Sequence, residues 1–341
     1  MLATVVSTRP ELLVPIYKEV SPVLISRFGD REETVRLEVW ATYVILLNQT
    51  SVYGGQPLTK DSESTIRGKR KRDNETMDVE ESPYTLLRDQ VPSLSKALLN
   101  QLKSVKTPPT TLQAGFGLLH ALLGVLPGSL SNQVIPIVSA SKSILSQPPS
   151  TSTSTLHLTC LSFLARFFAT HSPLAFSGSV SSLAPVLLRL LGEKHPRIAS
   201  ETFRVFSALL NAMKPIKSAD WAERVYEQAV LRLSSHDTDA EVRSCAEESI
   251  ADLWICATDI LKGKHQKEWE SICRSSGKTE GAVKVVTRVA KEVTISDQWV
   301  DGCVEWLMVL MRKSGRSGKG DIFVALDVLL RRCVAFVMSS D

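Results

Sequence analysis

The sequence predicts an all-α fold, an α-solenoid of HEAT or armadillo-type helical repeats. Apolar side chains recur every three or four residues along nearly the whole chain, the spacing of an amphipathic helix. Period-two alternation, the mark of a half-buried strand, is almost absent. A proline followed closely by aliphatic residues also recurs inside these helical patterns, which indicates an internal repeat.

The prolines set the repeat length. Pro92 and Pro136 lie 44 residues apart, and Pro185 follows after 49 more, near the period of about 40 to 47 residues of HEAT and armadillo repeats. The gap from Pro22 to Pro92 is 70 residues, but it contains a polar insert of about 30 residues, and without it the gap is about one repeat. A proline in a helix interior bends the axis, so we expect a similar bend in each first helix.

Residues 1–50 are interpreted as HEAT repeats, the first of them incomplete. Val5–Leu13 resembles the end of a second helix, so we expect the chain to begin within a repeat. The helix of Pro22 follows, and a turn at Gly29-Asp30 separates it from a second helix over Val35–Leu47.

Residues 51–82 form the polar and basic insert, which is predicted to be disordered because it has too few apolar residues to offset its ordering entropy. Lys69, Arg70, Lys71 and Arg72 form a basic run within it, a candidate nuclear-localisation signal. The alternative is a solvated charge run, partly neutralised by the acidic residues that follow.

Residues 83–262 are predicted to continue the repeats, and residues 263–341 to form further, more divergent ones. Second helices are expected over Leu112–Leu126 and Ile198–Met213, with a polar connector at Ser146–Thr155. Further pairs are expected around Trp221–Trp254 and Trp299–Val337, with a weaker pair between them. Each pair is too small to bury its own apolar face, so only stacking completes the core.

Composition limits the compartment and the partners. A net charge of +4 over 341 residues gives no global field for nucleic acid, and no aromatic residues interleave with the basic run. No apolar stretch reaches the length of a membrane span, so no membrane partner is expected. The six cysteines are scattered singly, which indicates buried thiols in a reducing compartment, the cytoplasm or nucleus.

No motif predicts an enzyme, a cofactor, a metal or a small-molecule substrate. Gly277-Lys278-Thr279 imitates the end of a phosphate-binding loop but lacks its first glycine. Asp237 and Asp239 imitate part of a calcium loop, but helix capping near Ala240 explains them better. The six histidines show no metal-ligand spacing.

The tryptophans divide into two groups. Trp40, Trp254 and Trp306 lie in apolar stripes and are expected in the core. Trp221 and Trp269 lie beside charged residues and are the better candidates for exposed interface anchors.

Seven stretches of the chain carry a family resemblance: Val5–Leu13, Val20–Phe28, Arg31–Glu33, Gln90–Pro92, Ser104–Thr107, Val125–Leu130 and His171–Pro173. They resemble the cullin-associated neddylation-dissociated family, also called TATA-binding-protein-interacting proteins. The likeness covers about Met1 to Leu261 and is faint beyond it.

The resemblance implies a middle portion of a longer HEAT solenoid, which binds an unneddylated cullin and its RING subunit and promotes exchange of substrate receptors without catalysis. It also implies that the second helix of each pair lines the binding face. The alternative function is that of a HEAT adaptor of the nuclear-transport or phosphatase-scaffold type.

Overall fold

The computed structural model describes residues 2–53, 82–103, 107–235, 238–261, 265, 267–269, 271, 279–292, 297–315 and 318–338. The chain divides into two compact units, Met1–Ser179 and Val180–Asp341. The boundary falls inside one helix, and each unit is described by itself. Of the predicted disordered insert, residues 54–81 lie outside the described residues.

Fifteen helices are numbered here in chain order; a 3₁₀ turn at Ser131–Gln133 and the helical residues at 265, 267–269 and 271 lie outside this numbering. The second of them, α2, is a composite of a 3₁₀ turn (Pro10–Leu12), a short α-helix (Leu13–Pro15), a π-helical turn (Ile16–Val20) and an α-helix (Ser21–Ser26). The others are α1 (Leu2–Thr8), α3 (Glu33–Tyr53), α4 (Pro83–Leu102), α5 (Pro109–Val125), α6 (Val134–Leu145), α7 (Ser154–Thr170), α8 (Pro173–Leu191), α9 (Pro196–Met213), α10 (Asp220–Ser234), α11 (Ala240–Cys256), α12 (Thr258–Leu261), α13 (Thr279–Glu292), α14 (Asp297–Lys313) and α15 (Lys319–Met338).

Apart from the four-residue α12, which contacts α10 and α11, the even-numbered helices are first helices and the odd-numbered ones are second helices of successive pairs. In the first unit the second helices α1, α3, α5 and α7 contact one another in that order, and α2, α4 and α6 form the other layer. In the second unit α9, α11, α13 and α15 contact one another in the same way. No strand occurs in the described ranges, and the predicted all-α solenoid of repeats is confirmed.

The period of the second helices identifies the type of repeat. Helices α5, α7, α9 and α11 begin at Pro109, Ser154, Pro196 and Ala240, so successive starts are 45, 42 and 44 residues apart. This period is that of HEAT and armadillo repeats and exceeds the roughly 34 residues of tetratricopeptide repeats.

Helix starts follow local capping chemistry. The Ser82 hydroxyl accepts from the Thr85 N–H, and the Thr85 hydroxyl accepts from the Ser82 N–H, which forms a capping box at α4. The Asp239 carboxylate accepts from the Glu241 N–H at 2.9 Å, which confirms Asp239 as the cap of α11. Asp237 lies outside the described residues.

The prolines do not all bend helix interiors. Pro92 and Pro185 lie inside α4 and α8, but Pro136 is the third residue of α6, where no helical hydrogen bond is lost. Pro22 follows the π-helical turn of α2. The expectation of one similar bend in every first helix was therefore wrong, because only Pro92 and Pro185 lie in the interior of a regular α-helix.

Two predicted boundaries differ from the structure. The stretch Val5–Leu13 is not one helix, because α1 ends at Thr8 and Pro10 begins α2. Helix α3 continues to Tyr53, so the first three residues assigned to the insert are helical. A proline disfavours the α conformation of the residue before it, and this explains the break at Arg9.

Aromatic side chains form much of each core. In the first unit Phe28 contacts Trp40 and Tyr43, at centroid distances of 6.3 and 5.3 Å. In the second, Trp221 stacks on Phe206 at 5.7 Å. All five of these side chains are buried.

Burial confirms part of the tryptophan prediction. Trp40 and Trp254 are buried, while Trp306 is half-buried. Trp221 and Trp269 are also buried, so their predicted exposure was wrong. Charged sequence neighbours point to other sides of a helix and do not determine the environment of the indole.

Helix α8 contradicts the expectation that no apolar stretch reaches the length of a membrane span. Among the described residues it is long and apolar enough, by length and composition alone, to cross a membrane. Its buried side chains recur at helical spacing, however, at Phe176, Val180, Leu183 and Leu187, and its exposed positions include Ser177, Ser181, Ser182 and Arg189. This amphipathic pattern is that of a repeat helix with one covered side.

Candidate protein-binding surface

The second helices of the first unit share an exposed surface that is nearly free of charge. One row of α3 faces solvent or is partly covered, and it is continued by rows of α5 and α7. Of the residues in these rows, only Glu38 and Arg166 carry a full charge. The rows consist of Thr34, Glu38, Ala41, Ile45, Asn48 and Val52 on α3, Thr110, Gln113, Gly117, His120 and Gly124 on α5, and Thr155, Thr159, Ser162, Arg166 and Ala169 on α7.

Polar contacts hold neighbouring second helices of this unit together. The Glu33 carboxylate at the start of α3 accepts hydrogen bonds from the Thr110 and Thr111 hydroxyls, at 3.1 and 2.5 Å. Arg166 on α7 donates to the His120 carbonyl of α5 at 3.1 Å. A Cβ at Gly124 would lie 3.0 Å from this guanidinium, so the glycine leaves the space that Arg166 occupies.

The second helices of the second unit expose charges of both signs. Arg197, Glu201 and Arg204 lie along α9, Glu241 and Glu248 along α11, and Glu280, Lys284, Arg288 and Lys291 along α13. The exposed positions of α15 include Phe323, Val324 and Leu330 beside an Asp327–Arg331 ion pair of 2.9 Å. The two units therefore offer different surface chemistry.

Asn211, Asp252 and Arg288 form a chain of hydrogen bonds, called here the polar ladder, that connects the second helices α9, α11 and α13. Asp252 on α11 accepts from the Asn211 side chain of α9 at 3.0 Å and from Arg288 of α13 at 2.5 Å. Its side chain is only 2% exposed, so these partners replace the solvent it has lost. Arg204 on α9 also bridges to Glu241 on α11 at 3.0 Å.

Burial makes the described thiols poor nucleophiles. It raises the pKa of Cys160 to about 12 and that of Cys256 to about 11, and it also raises the pKa of Cys245. A thiol that stays protonated at neutral pH neither attacks a carbonyl nor ligates a metal readily. Cys160, Cys245, Cys256 and Cys303 are buried, as predicted for those four.

The side chains of His157, His171 and His265 contact backbone groups or carboxylates. His157 lies within hydrogen-bond distance of the carbonyls of Thr153 and Gln147. His171 is buried, and burial lowers its pKa. Among the described residues, no three His, Cys, Asp or Glu side chains form a group that could hold a metal ion.

Most residues of the sequence-predicted motifs lie outside the described residues. The basic run of Lys69, Arg70, Lys71 and Arg72 lies outside the described residues, as do Gly277 and Lys278. The exposed rows themselves were not assigned from the sequence. Their helical spacing was visible, but periodicity does not show which row a neighbouring repeat covers.

Comparison with known proteins identifies the family. A family model described as CAND1-like TPR repeats matches residues 124–250. Cullin-associated NEDD8-dissociated protein 1 of Dictyostelium discoideum is 27% identical over 353 residues, which cover 99% of this chain and 26% of that protein. The protein of the same name from Arabidopsis thaliana is 30% identical over 254 residues, covering 72% of this chain and 19% of that protein.

The chain belongs to the cullin-associated NEDD8-dissociated family. This confirms the family predicted from the sequence. The Dictyostelium match extends the likeness to 99% of the chain, beyond the expected limit near Leu261. The chain spans about a fifth to a quarter of the length of these two relatives.

A solved structure of importin beta shows the same fold. The TM-score is 0.60 at 16% sequence identity, and the match covers 92% of this chain and 38% of that one. At this identity the likeness concerns the fold alone. The family model names its repeats TPR, whereas the 42 to 45 residue period of this member's second helices is that of HEAT repeats.

Proposed function

We propose that this member of the family is a non-enzymatic scaffold that binds a cullin and regulates the assembly of cullin-RING ubiquitin ligases. Membership of the family is the observation that carries the proposal, since its relatives are named for association with cullins and dissociation from NEDD8. In this proposal the partner is an unneddylated cullin with its RING subunit, and binding promotes exchange of substrate receptors.

The exposed rows of α3, α5 and α7 are the proposed contact surface in the first unit. Gly117 faces open space, since a Cβ there would meet no atom within 4 Å. Because glycine has no side chain, a partner helix can approach the backbone closely at this position. The scarcity of charge reduces the desolvation cost of covering this surface. The exposed charged residues of α9, α11 and α13 in the second unit are proposed to fix the position of the partner along the surface and to select it by charge.

The buried thiols, and the contacts of His157 and His171 with backbone groups, support a binding role over a catalytic one. Hydrolysis or group transfer requires a nucleophile or base that reaches the substrate with a suitable pKa. Burial raises the pKa values of the Cys160, Cys245 and Cys256 thiols, which makes them poor nucleophiles.

Binding to purified cullin–RING complexes, with and without covalent NEDD8, tests the proposal. We expect the chain to retain the unmodified complex and to lose at least tenfold in affinity for the modified one, a difference of about 1.4 kcal/mol. Equal affinity for both forms, or no binding to either, would contradict it.

Two variants locate the contact. Ile45→Glu and Ala169→Glu place carboxylates on the exposed rows of the first unit, and each is expected to weaken binding about tenfold by adding an unpaired charge. Lys96→Glu, on the exposed side of the first helix α4, is the matched control and should bind normally. Equal losses in all three variants would refute the assigned surface.

The alternative, an adaptor of nuclear transport or phosphatase assembly, is an outcome of the same experiment. The fold likeness to importin beta does not favour it, because that likeness carries no information about partners. Capture of a transport or phosphatase subunit in place of the cullin complex would support the alternative.

Location in both cytoplasm and nucleus is part of the proposal. Lys69, Arg70, Lys71 and Arg72 are proposed as the import signal, because clustered cations suit the acidic groove of an import receptor. Replacing all four by alanine should shift a fluorescent fusion towards the cytoplasm. An unchanged nuclear fraction would show that these four residues are a solvated group of charges and not an import signal.

A further inference from the structure

Arg166 carries the only full charge on two neighbouring helices of the first unit. Apart from this exposed arginine, neither α5 nor α7 contains an Asp, Glu, Lys or Arg residue along its whole length. Glu38, the other charge of the exposed rows, belongs to α3, and α5 lies between α3 and α7. Neighbouring helices pack about 8–10 Å apart, so Glu38 is two such steps away and too far to pair with Arg166.

The guanidinium of Arg166 is held across the junction of α5 and α7. Its Nη1 donates to the His120 carbonyl of α5 at 3.1 Å. A Cβ at Gly124 would lie 3.0 Å from Nη1, 3.6 Å from Cζ and 3.9 Å from Nη2, so the planar group lies over the glycine. The His120 ring in turn bonds to the Ser162 carbonyl of α7. These two contacts, which run in opposite directions between the helices, hold the guanidinium in place before a partner binds.

No described carboxylate pairs with this guanidinium. Its hydrogen bond goes to a backbone carbonyl, and the N–H groups of Nε and Nη2 keep their capacity to donate. Arginines on the second helices of the other unit differ in this respect. Arg204 pairs with Glu241 at 3.0 Å, and Arg288 pairs with Asp252 at 2.5 Å.

A partner that covers the exposed rows of α5 and α7 must satisfy the remaining donors of Arg166. Covering an arginine without an acceptor costs desolvation energy that nothing offsets. A carboxylate is the group that matches, because the N–H groups of Nε and Nη2 are parallel and bind both of its oxygens at once. Since α5 already holds the guanidinium, little side-chain entropy is lost when the carboxylate binds.

We propose that Arg166 is the anchor of the exposed rows in the first unit and that it binds an Asp or Glu carboxylate of the partner through Nε and Nη2. This inference rests on the proposed function, because it names the group by which the cullin–RING complex meets α5 and α7. The rows on either side of Arg166 are uncharged, so the partner segment that lies on them is uncharged apart from this one acidic residue. The ion pair fixes the position of that segment along the rows.

A purely structural role for Arg166 predicts different results. In that role its hydrogen bond to the His120 carbonyl only joins α5 to α7, so removing it lowers stability and leaves the affinity of the folded protein unchanged. The carboxylate anchor predicts instead a loss of affinity that depends on charge and on salt. Affinity and folding are therefore measured separately on the same variants.

Affinity for the unmodified cullin–RING complex tests the anchor. The complex is treated with phosphatase first, so that no phosphoryl group replaces the carboxylate. Arg166→Met is expected to weaken binding about tenfold to a hundredfold, the effect of losing charge-assisted hydrogen bonds, and to reduce the dependence of affinity on sodium chloride between about 0.05 and 0.5 M. Arg166→Lys should lie between wild type and Arg166→Met, because an amine keeps the charge but cannot make the two parallel bonds. Circular dichroism shows whether each variant is folded.

Cross-linking with a carbodiimide identifies the partner group, because this reagent joins an amine to a carboxylate that touches it. In the complex of Arg166→Lys we expect a cross-link from the introduced amine to an Asp or Glu of the cullin or its RING subunit, located by mass spectrometry. Lys96, on the exposed side of α4, supplies a control amine and should not cross-link to the partner. A cross-link from position 166 to a carboxylate of the same chain would overturn the proposal.

Arg88→Met is the matched control for affinity, since Arg88 is an exposed arginine of the first helix α4. It should bind as the wild type does. Wild-type affinity and salt dependence in Arg166→Met, or equal losses in Arg166→Met and Arg88→Met, would overturn this inference and leave the proposed function standing. Absence of binding by the wild type would overturn the proposed function and this inference with it.

Discussion

Gln90 supplies a hydrogen bond that Pro22 cannot. The Gln90 side-chain amide donates to the Tyr17 carbonyl at 2.7 Å, across from α4 to α2. In the π-helical turn the Ser21 N–H bonds to the Ile16 carbonyl, and the next residue, Pro22, has no N–H for Tyr17. Gln90 also contacts the Ser21 hydroxyl, which lies 3.0 Å from the Tyr43 hydroxyl of α3. One glutamine thus connects three helices of the first unit.

Replacing Gln90 by alanine is expected to lower the free energy of unfolding by about 1–3 kcal/mol, because it leaves the Tyr17 carbonyl without a donor in a partly buried place. Urea denaturation followed by circular dichroism measures the change. Asn100→Ala, at an exposed position of the same helix, should change stability by less than about 0.5 kcal/mol. Similar losses in both variants would contradict this role of Gln90.

Replacing Arg288 by methionine is expected to destabilise the second unit by about 2 kcal/mol. Asp252 would remain buried with only Asn211 as a partner in the ladder. Adding Asp252→Asn to this variant should recover part of the loss, since the unpaired charge is then gone. Lys284→Met is the control, because Lys284 is exposed and pairs loosely with Glu280 at 3.6 Å. If the double variant is less stable than Arg288→Met, the charge is not the cause.

The neutral form of His171 is expected to stabilise the first unit. Its Nδ1 is 2.8 Å from the Phe167 carbonyl, and the Leu130 N–H donates to its Nε2 at 3.1 Å, so the ring needs a proton on Nδ1 and none on Nε2. Burial lowers the pKa of His171, so its contribution is present above the ordinary histidine value of about 6.5 and is lost as pH falls.

Unfolding free energies between pH 7.5 and 5.0 measure this loss. In His171→Gln the amide oxygen can still accept a hydrogen bond but does not titrate, so the pH slope should flatten. His120→Gln is the comparison: burial also lowers the pKa of His120, but its side chain is only half-buried, so this variant should flatten the slope less than His171→Gln. An unchanged slope in His171→Gln would show that other groups cause the acid sensitivity.

Cys160 is expected to resist alkylation in the native protein. The thiol is fully buried, and burial raises its pKa to about 12. Iodoacetamide at pH 8 should modify it at least a hundredfold more slowly in the folded chain than in urea, as measured by peptide mass spectrometry. Comparable rates in the two states would mean that the α7 core opens frequently.

Replacing Glu247 by glutamine is expected to stabilise the protein at pH 7 by about 1 kcal/mol. Glu247 is buried beside Gly281, and burial raises the pKa of its carboxyl group. The charged form is therefore disfavoured in the folded state, and the penalty grows as pH rises through the raised pKa. Glu248→Gln, at the exposed neighbour, should have little effect, and a larger gain there than at Glu247 would contradict the argument.

Several features could be predicted because they depend on nearby residues. The three-to-four residue spacing identified α3, α5, α9, α11 and α14, and Asp239 was recognisable as a cap from its place before Ala240. The exposure of Trp221 could not be predicted, because its stacking partner Phe206 belongs to a preceding helix. The contact of Gln90 with Tyr17 spans 73 residues and has no local signal.

The sequence by itself determined that this protein is a chain of amphipathic helix pairs at HEAT spacing, because helical periodicity and the recurrence of prolines are properties of local residue order. Only the tertiary structure decided which row of each second helix is exposed, which tryptophans are buried and which side chains connect neighbouring repeats. Each helix has several faces, and the one that is covered depends on repeats that lie 40 or more residues away, whose packing no local pattern encodes.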